Sequence, residues 1–227
     1  MKYNNPIPSE IIELFTQRLM LTEDDTILEV GCGEGALLEY IAERYRCGGV
    51  ALDIDKKATV KARERLNRLN STIEVVDKAF DEYTFAQDTF SHAICIGSSH
   101  AFGGVGEAVE AMFRALSKKI QEGRYLLVGV GYWKQEPPAE YLEKTGLQAE
   151  ELRSLPELIE LASSHGLEAV SMVRASEQDW DLFESFHWHK WSKQNPERDM
   201  STWRNAYIQW GKETMGFVLF LLEKKKG

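Results

Sequence analysis

Two carboxylates placed around a glycine turn are the parts of this sequence best suited to chemistry. The run Ile27-Leu28-Glu29-Val30-Gly31-Cys32-Gly33-Glu34-Gly35 reads as a buried strand entering a Gly-rich turn, with a helix behind it. Glycines there permit positive φ and let a ligand reach the backbone with no Cβ in the way. Eighteen residues after Gly35, Asp53 closes the next strand. A carboxylate at that point can accept hydrogen bonds from both hydroxyls of a ribose. Together these features describe a site for an adenosine-containing ligand.

Gly31, Gly33 and Ala36 also satisfy the G-x-G-x-x-[GA] pattern of dinucleotide sites, so a nicotinamide cofactor is one reading. Glu29 shifts the balance. A carboxylate two residues ahead of the first glycine repels a pyrophosphate and suits a ligand carrying an ammonium and a sulfonium. S-adenosylmethionine is such a ligand.

The run ILEVGCGEG resembles motif I of the class I S-adenosylmethionine-dependent methyltransferases, and GVALDID resembles their second motif. The segment Asp88 to Gly104 is similar to the family's fourth-strand region. Gly131-Tyr132-Trp133 is similar to members that act on small molecules. The resemblance spans about residues 8 to 175, with the final strand in addition. It implies a Rossmann-like α/β fold, with a seven-stranded, mostly parallel sheet, helices on both faces and an antiparallel last strand. It also implies a cofactor site. The turn Gly31, Cys32, Gly33 and Gly35 would meet the methionine part together with Glu29. Asp53 would hold the ribose, and Ile54 would pack on the adenine. Asp77, Lys78, Ala79 and Phe80 would line the adenine edge, and Gly97 and Ser98 would sit under the sulfonium. Two positions depart from the family pattern: Lys78 stands where many relatives carry an acid, and His92 where many carry Asp.

Methyl transfer from a sulfonium is one in-line displacement, and holding the acceptor in line is worth up to about 7–11 kcal/mol. A general base is required only when the acceptor keeps its proton at neutral pH. His100, just past Gly97-Ser98-Ser99, is the candidate base and a candidate substrate contact. Tyr132 and Trp133 are candidate acceptor contacts, with Glu136 a further polar candidate. His187-Trp188-His189 has no third ligand nearby, so no metal is expected.

These residues need elements to position them. Thr26 to Val30, Gly49 to Leu52, Ile73 to Val76, Ala93 to Ile96, Tyr125 to Val130, Leu167 to Val173 and Gly216 to Leu222 read as strands. Helices are expected from Ser9, taken as a cap, and at Ala36 to Tyr45, Ala58 to Leu69, Glu107 to Ile120 and Glu157 to His165, the last with Pro156 at its start. Such alternation implies a sheet covered on both faces. Two segments break the rhythm. Gly131 to Gln148 contains Pro137-Pro138. Ser176 to Lys212 holds five of the six tryptophans. Both follow strands, where ligands of open α/β sheets bind, so both are candidate substrate covers. We expect one methyltransferase domain over residues 1–227, with 176–212 a Trp-rich helical insert whose rings could favour a cationic ligand.

The net charge of −9 argues against a nucleic-acid backbone as partner, because phosphate contacts need clustered Lys and Arg. Three cysteines, Cys32, Cys47 and Cys95, form no disulfide framework. No signal peptide or membrane-length apolar run is visible. The expectation is a cytoplasmic enzyme, monomer or homodimer, transferring a methyl group to a small molecule. The alternatives are a non-catalytic cofactor-binding protein of the same fold and an NAD(P)-binding oxidoreductase. The acceptor atom, whether oxygen, nitrogen, sulfur or carbon, is not legible.

Overall fold

A computed structural model describes residues 2–86, 89–194 and 199–226. Asp88, the first residue of the fourth-strand segment, lies outside the described residues, as do positions 195–198 of the Trp-rich segment. The strands are β1 (Thr26–Val30), β2 (Gly48–Leu52), β3 (Ile73–Val76), β4 (His92–Ile96), β5 (Tyr125–Trp133), β6 (Leu167–Arg174) and β7 (Met215–Lys224). They form one sheet in the order β3-β2-β1-β4-β5-β7-β6. The pairs among β1 to β5 are parallel, whereas β7 is antiparallel to both β5 and β6. The seven-stranded, mostly parallel α/β fold with an antiparallel last strand is therefore as expected.

The central strands are apolar on both sides because helices cover both faces. One face carries α1 (Ser9–Gln17), α2 (Ala36–Tyr45) and α3 (Lys56–Arg68), which pack Phe15, Leu38, Ile41 and Leu66 with Ile27, Ile94 and Leu219. The other carries α4 (Ala108–Lys119) and α6 (Leu155–Ser164), which pack Met112, Phe113 and Leu158 with Leu28, Cys95 and Phe220. Local chemistry sets the helix starts. The Asp55 carboxylate accepts from the Lys57 and Ala58 backbone N–H groups at 2.8 and 3.3 Å. Ser154 and Glu157 make a capping box ahead of α6, with Pro156 in its first turn.

Two expectations needed correction. Ser9 does not cap α1. Pro8 holds the cap position, its carbonyl taking the first helical bond from Ile12 N–H at 3.2 Å, and Ser9 is already helical. The fifth strand does not end at Val130 but runs to Trp133, because β7 pairs beside it as far as Met215. Only after Pro137-Pro138 does α5 (Ala139–Thr145) begin. Between β6 and β7 the chain forms α7 (Glu177–Gln194), α8 (Ser201–Ala206), a π-helical turn at Tyr207–Gly211 and α9 (Lys212–Thr214). Among the described residues no helix is long and apolar enough to cross a membrane.

Candidate cofactor and acceptor site

The turn after β1 is built for a backbone-lined cradle. Gly31, Gly33 and Gly35 have φ of 80°, 53° and 74°, values that L side chains rarely adopt. Each glycine is needed for a different reason. A side chain on Gly31 would strike Ser98, and one on Gly35 would strike Ala62 of α3. One on Gly33 would meet nothing within 4 Å, so its open side faces the space a ligand would fill. The Gly31 and Cys32 N–H groups donate to the Leu52 carbonyl at 2.8 and 3.1 Å, which fixes the turn against β2.

Asp53 leaves β2 directly opposite. Its carboxylate accepts from Gly33 N–H at 2.7 Å and from Asp55 N–H at 2.9 Å. Beside it, Ile54 is 71% exposed, an apolar side chain held in water at a strand end. Glu29 is only 6% exposed, and its Oε2 is buried with no hydrogen-bond partner among the described residues. Burial, with the charge of Asp53 second, pushes its pKa up to about 8. A buried carboxyl without a partner is costly, by about 1–3 kcal/mol. An ammonium placed there would remove that cost. The donor set thus fits the amino-acid end of S-adenosylmethionine at Glu29, its ribose at Asp53 and its adenine at Ile54.

The third strand end is arranged differently from the expectation. Asp77 is ion-paired with Arg63 of α3, whose Nε also donates to the Val75 carbonyl at 3.0 Å, so the Asp77 carboxylate is occupied and held below the usual range. Lys78 is exposed. Ala79 N–H donates to Glu82 at 3.4 Å. Phe80 turns away towards Phe102 and Phe85, with ring centroids at 4.8 and 5.4 Å. Arg63 carries no motif signal. Its only trace in the sequence is its place on the basic side of α3.

Gly97, with φ of 73°, and Ser98 follow β4, and His100 lies exposed on the short 3-10 turn Ser99–Phe102. His92 belongs to the opposite, amino-terminal end of β4. It stacks on Tyr125, accepts from the Tyr125 N–H at 3.3 Å, and burial lowers its pKa to about 4. The geometry separates Tyr132 from Trp133. Both lie within β5, where successive side chains point to opposite faces. Tyr132 is buried with Phe220 and Leu158 on the α4–α6 face. Trp133 packs with Tyr141 and Ala206 on the other side, its Nε1–H donating to the Ala149 carbonyl at 2.8 Å. Trp133 and Glu136 line a cleft of 660 Å³ with Glu107, Glu150 and Arg153.

One contributor had no signal in the motifs. The N-terminal segment crosses the carboxyl end of the sheet. The Asn4 carbonyl lies 3.9 Å from where a side chain on Gly97 would be, and Asn5, Pro6 and Ile7 are buried. The Tyr3 hydroxyl donates to Glu13 at 3.1 Å, and Tyr3 is close enough to Glu29 to feel its charge. His187 and His189 diverge on α7, the first buried and the second exposed. All three cysteines are free and buried, with their thiol pKa values pushed up by burial.

Comparison with known proteins agrees with this geometry. Residues 27–119 match the family described as "Methyltransferase domain". The Escherichia coli (strain K12) uncharacterized protein YjhP is 25% identical over 97% of this chain and 93% of its own length. Two solved structures, each a SAM-dependent methyltransferase in complex with S-adenosyl-L-homocysteine, share the fold. The Geobacter sulfurreducens protein has a TM-score of 0.80 at 24% identity, covering 99% of this chain and 94% of that one. The Thiobacillus denitrificans protein has a TM-score of 0.79 at 22% identity, with the same coverage. The glycine cradle, the two carboxylates around it and the sheet order accompany the match of residues 27–119 to a methyltransferase domain, and solved SAM-dependent methyltransferases share this fold.

Proposed function

We propose that this chain transfers the methyl group of S-adenosylmethionine to a small-molecule acceptor by in-line displacement, in one domain over residues 1–227 whose 176–212 insert forms the acceptor side. Glu29 carries the proposal. It is a buried carboxyl lacking a partner among the described residues, two residues before the glycine turn, where a dinucleotide would bring a pyrophosphate. That observation also weighs against the NAD(P) reading. When bound, S-adenosylmethionine supplies an already activated methyl on its sulfonium. The chain's own task is placement. Glu29 holds the ammonium, the open side of Gly33 admits the methionine chain, Asp53 exchanges its Gly33 and Asp55 partners for ribose hydroxyls, and Ile54 covers the adenine. Gly97 and Ser98 leave room below the sulfonium. The Asp77–Phe80 turn serves through its backbone, since Asp77 is engaged by Arg63.

His100 is assigned as the base for an acceptor that arrives protonated, and Trp133 as an acceptor wall. Tyr132 supports that wall from the opposite face. A cytoplasmic location and an acceptor other than nucleic acid complete the proposal, supported by the net charge of −9 and three free thiols. Calorimetric titration with S-adenosylhomocysteine, with NADH as control, tests it. Micromolar binding of the first alone is expected. Binding of NADH alone would overturn the assignment of Glu29, and binding of neither would point to a degenerate relative of the fold.

A further inference from the structure

The buried face of α7 is unusually polar. Its three buried residues are Trp180, Glu184 and His187, spaced four and three apart and therefore on one side of the helix. Trp180 Nε1 and both His187 ring nitrogens are buried without a hydrogen-bond partner among the described residues. Glu184 is 5% exposed, and one of its oxygens, Oε2, accepts from two indoles, Trp203 Nε1 at 2.9 Å and Trp188 Nε1 at 3.2 Å. Its other oxygen, Oε1, accepts no hydrogen bond among the described residues, and no Lys or Arg there is paired with it. Two neutral donors do not cancel a carboxylate's charge, and Oε1, which is not among the fully buried unpartnered atoms, stays open to a further partner. Burial accordingly raises the Glu184 pKa.

The place of this carboxyl matters as much as its chemistry. The α7 helix leaves the end of β6, which runs parallel to β5, so it starts at the carboxyl edge of the sheet. Trp180 and Tyr207 join the core cluster that includes Ile7 of the N-terminal segment and Phe217 of β7. Glu29 lies on this same face, since it shares the parity of Ile27 along β1. An acid flanked by indole rings, on a helix packed against the sheet face that carries Glu29, has the chemistry of a receptor for an organic cation. The carboxylate neutralises such a charge, and the surrounding rings supply apolar surface for the body that carries it.

We propose that Glu184, with Trp188 and Trp203, forms the acceptor's recognition site and selects a small amine bearing an apolar or aromatic body. This rests on the methyltransferase reading above and deepens it, by naming the acceptor class. The positive nitrogen supplies the charge Glu184 lacks, and the apolar body fills the aromatic surroundings. Ion pairing fixes the amine's position and leaves the choice of methylated atom to the geometry at the sulfonium.

The test uses the full chain saturated with S-adenosylhomocysteine and three probes of similar size that share a phenyl body: 2-phenylethylamine, 2-phenylethanol and phenylacetate. Tryptophan fluorescence reports binding, because five of the six tryptophans lie in this segment. The expected result is saturable quenching by the amine, at least about ten-fold tighter than by the alcohol, a difference worth about 1.4 kcal/mol. Glu184→Gln, which keeps the shape, should abolish the preference while S-adenosylhomocysteine affinity stays unchanged. Equal binding of amine and alcohol, tighter phenylacetate, no saturable amine binding, or an unaltered preference in the variant would each overturn the proposal. Should Glu184→Gln fail to fold, the wild-type comparison of the three probes decides alone. Loss of S-adenosylhomocysteine binding by the wild-type chain would instead count against the methyltransferase reading itself.

Discussion

At the scale of single residues, the three glycines of the turn look alike in sequence and differ in cause. Gly33→Ala places a methyl in open space at φ of 53°, so the cost is backbone strain of about 1–3 kcal/mol. The fold should survive, with S-adenosylhomocysteine affinity reduced because the methyl occupies the ligand's space. Gly31→Ala adds a collision with Ser98 to the same strain, and should fail to accumulate as folded protein. Circular dichroism melts and calorimetry on both variants separate the two cases. Equal stability of the two would refute the assignment. Asp53 and His100 should separate as well. Asp53→Ala should weaken S-adenosylhomocysteine binding by about two to four orders of magnitude, as expected when two charge-assisted hydrogen bonds of about 1.5–3 kcal/mol each are lost. His100→Ala should leave that affinity unchanged and lower turnover of a protonated acceptor. Unchanged cofactor affinity in the first variant, or normal turnover in the second, would remove that residue from its role. The placing of Glu29 and Asp53 around the glycine turn was legible because motif spacing sets it. Arg63, which takes up Asp77, was not. The contact joins residues 14 apart on a helix and a strand end, and no local pattern records it.

At the scale of elements, the N-terminal segment is the piece the sequence pattern left without a role. Its residues Asn5, Pro6 and Ile7 are buried, whereas Lys2 and Asn4 are exposed. Removing residues 1–4 should lower the melting temperature only by what the half-buried Tyr3 and its bond to Glu13 contribute, while opening the space beside Gly97 and Glu29. We expect S-adenosylhomocysteine to dissociate about ten-fold faster from the shortened chain, the equivalent of about 1.4 kcal/mol of lost contact. Stopped-flow displacement reads the rate directly, and an unchanged rate would show that the segment does not cover the ligand. Regular elements were easier to read. Ala36–Tyr45 and Thr26–Val30 appear where their hydrophobic patterns predict them, because each pattern is a property of its own residues. The direction of β7 and the true end of β5 depend on each other. The 37 residues between Ser176 and Lys212 could have bridged either a parallel or an antiparallel return, so only pairing between the two strands settles them.

At the scale of the whole molecule, two strongly shifted groups at opposite ends of the sheet, His92 and Glu29, titrate in the range that gives the protein a readable pH response. His92, lowered to about 4 from its usual 6.5, is neutral when folded. Its contribution is fully present above pH 6.5 and is lost as pH falls towards 4. Glu29, raised to about 8 from its usual 4.5, works in the reverse sense. The folded ligand-free protein holds a proton there that the unfolded chain has released, so this group's contribution falls as pH rises from 4.5 to 8. An ammonium beside Glu29 requires the carboxylate, so cofactor binding below pH 8 must expel that proton. S-adenosylhomocysteine affinity should then rise with pH, by up to about ten-fold per unit until pH 8, and flatten above it. The gap between the melting temperatures with and without ligand should widen over the same range. Glu29→Gln carries no titrating carboxyl and should bind more weakly, with no slope. Calorimetry in two buffers of different ionisation heat would count the released proton directly. A flat profile in the wild-type chain would mean that Glu29 is already ionised before the ligand arrives. The unpaired oxygen beneath the glycine turn would then be held by something other than its proton.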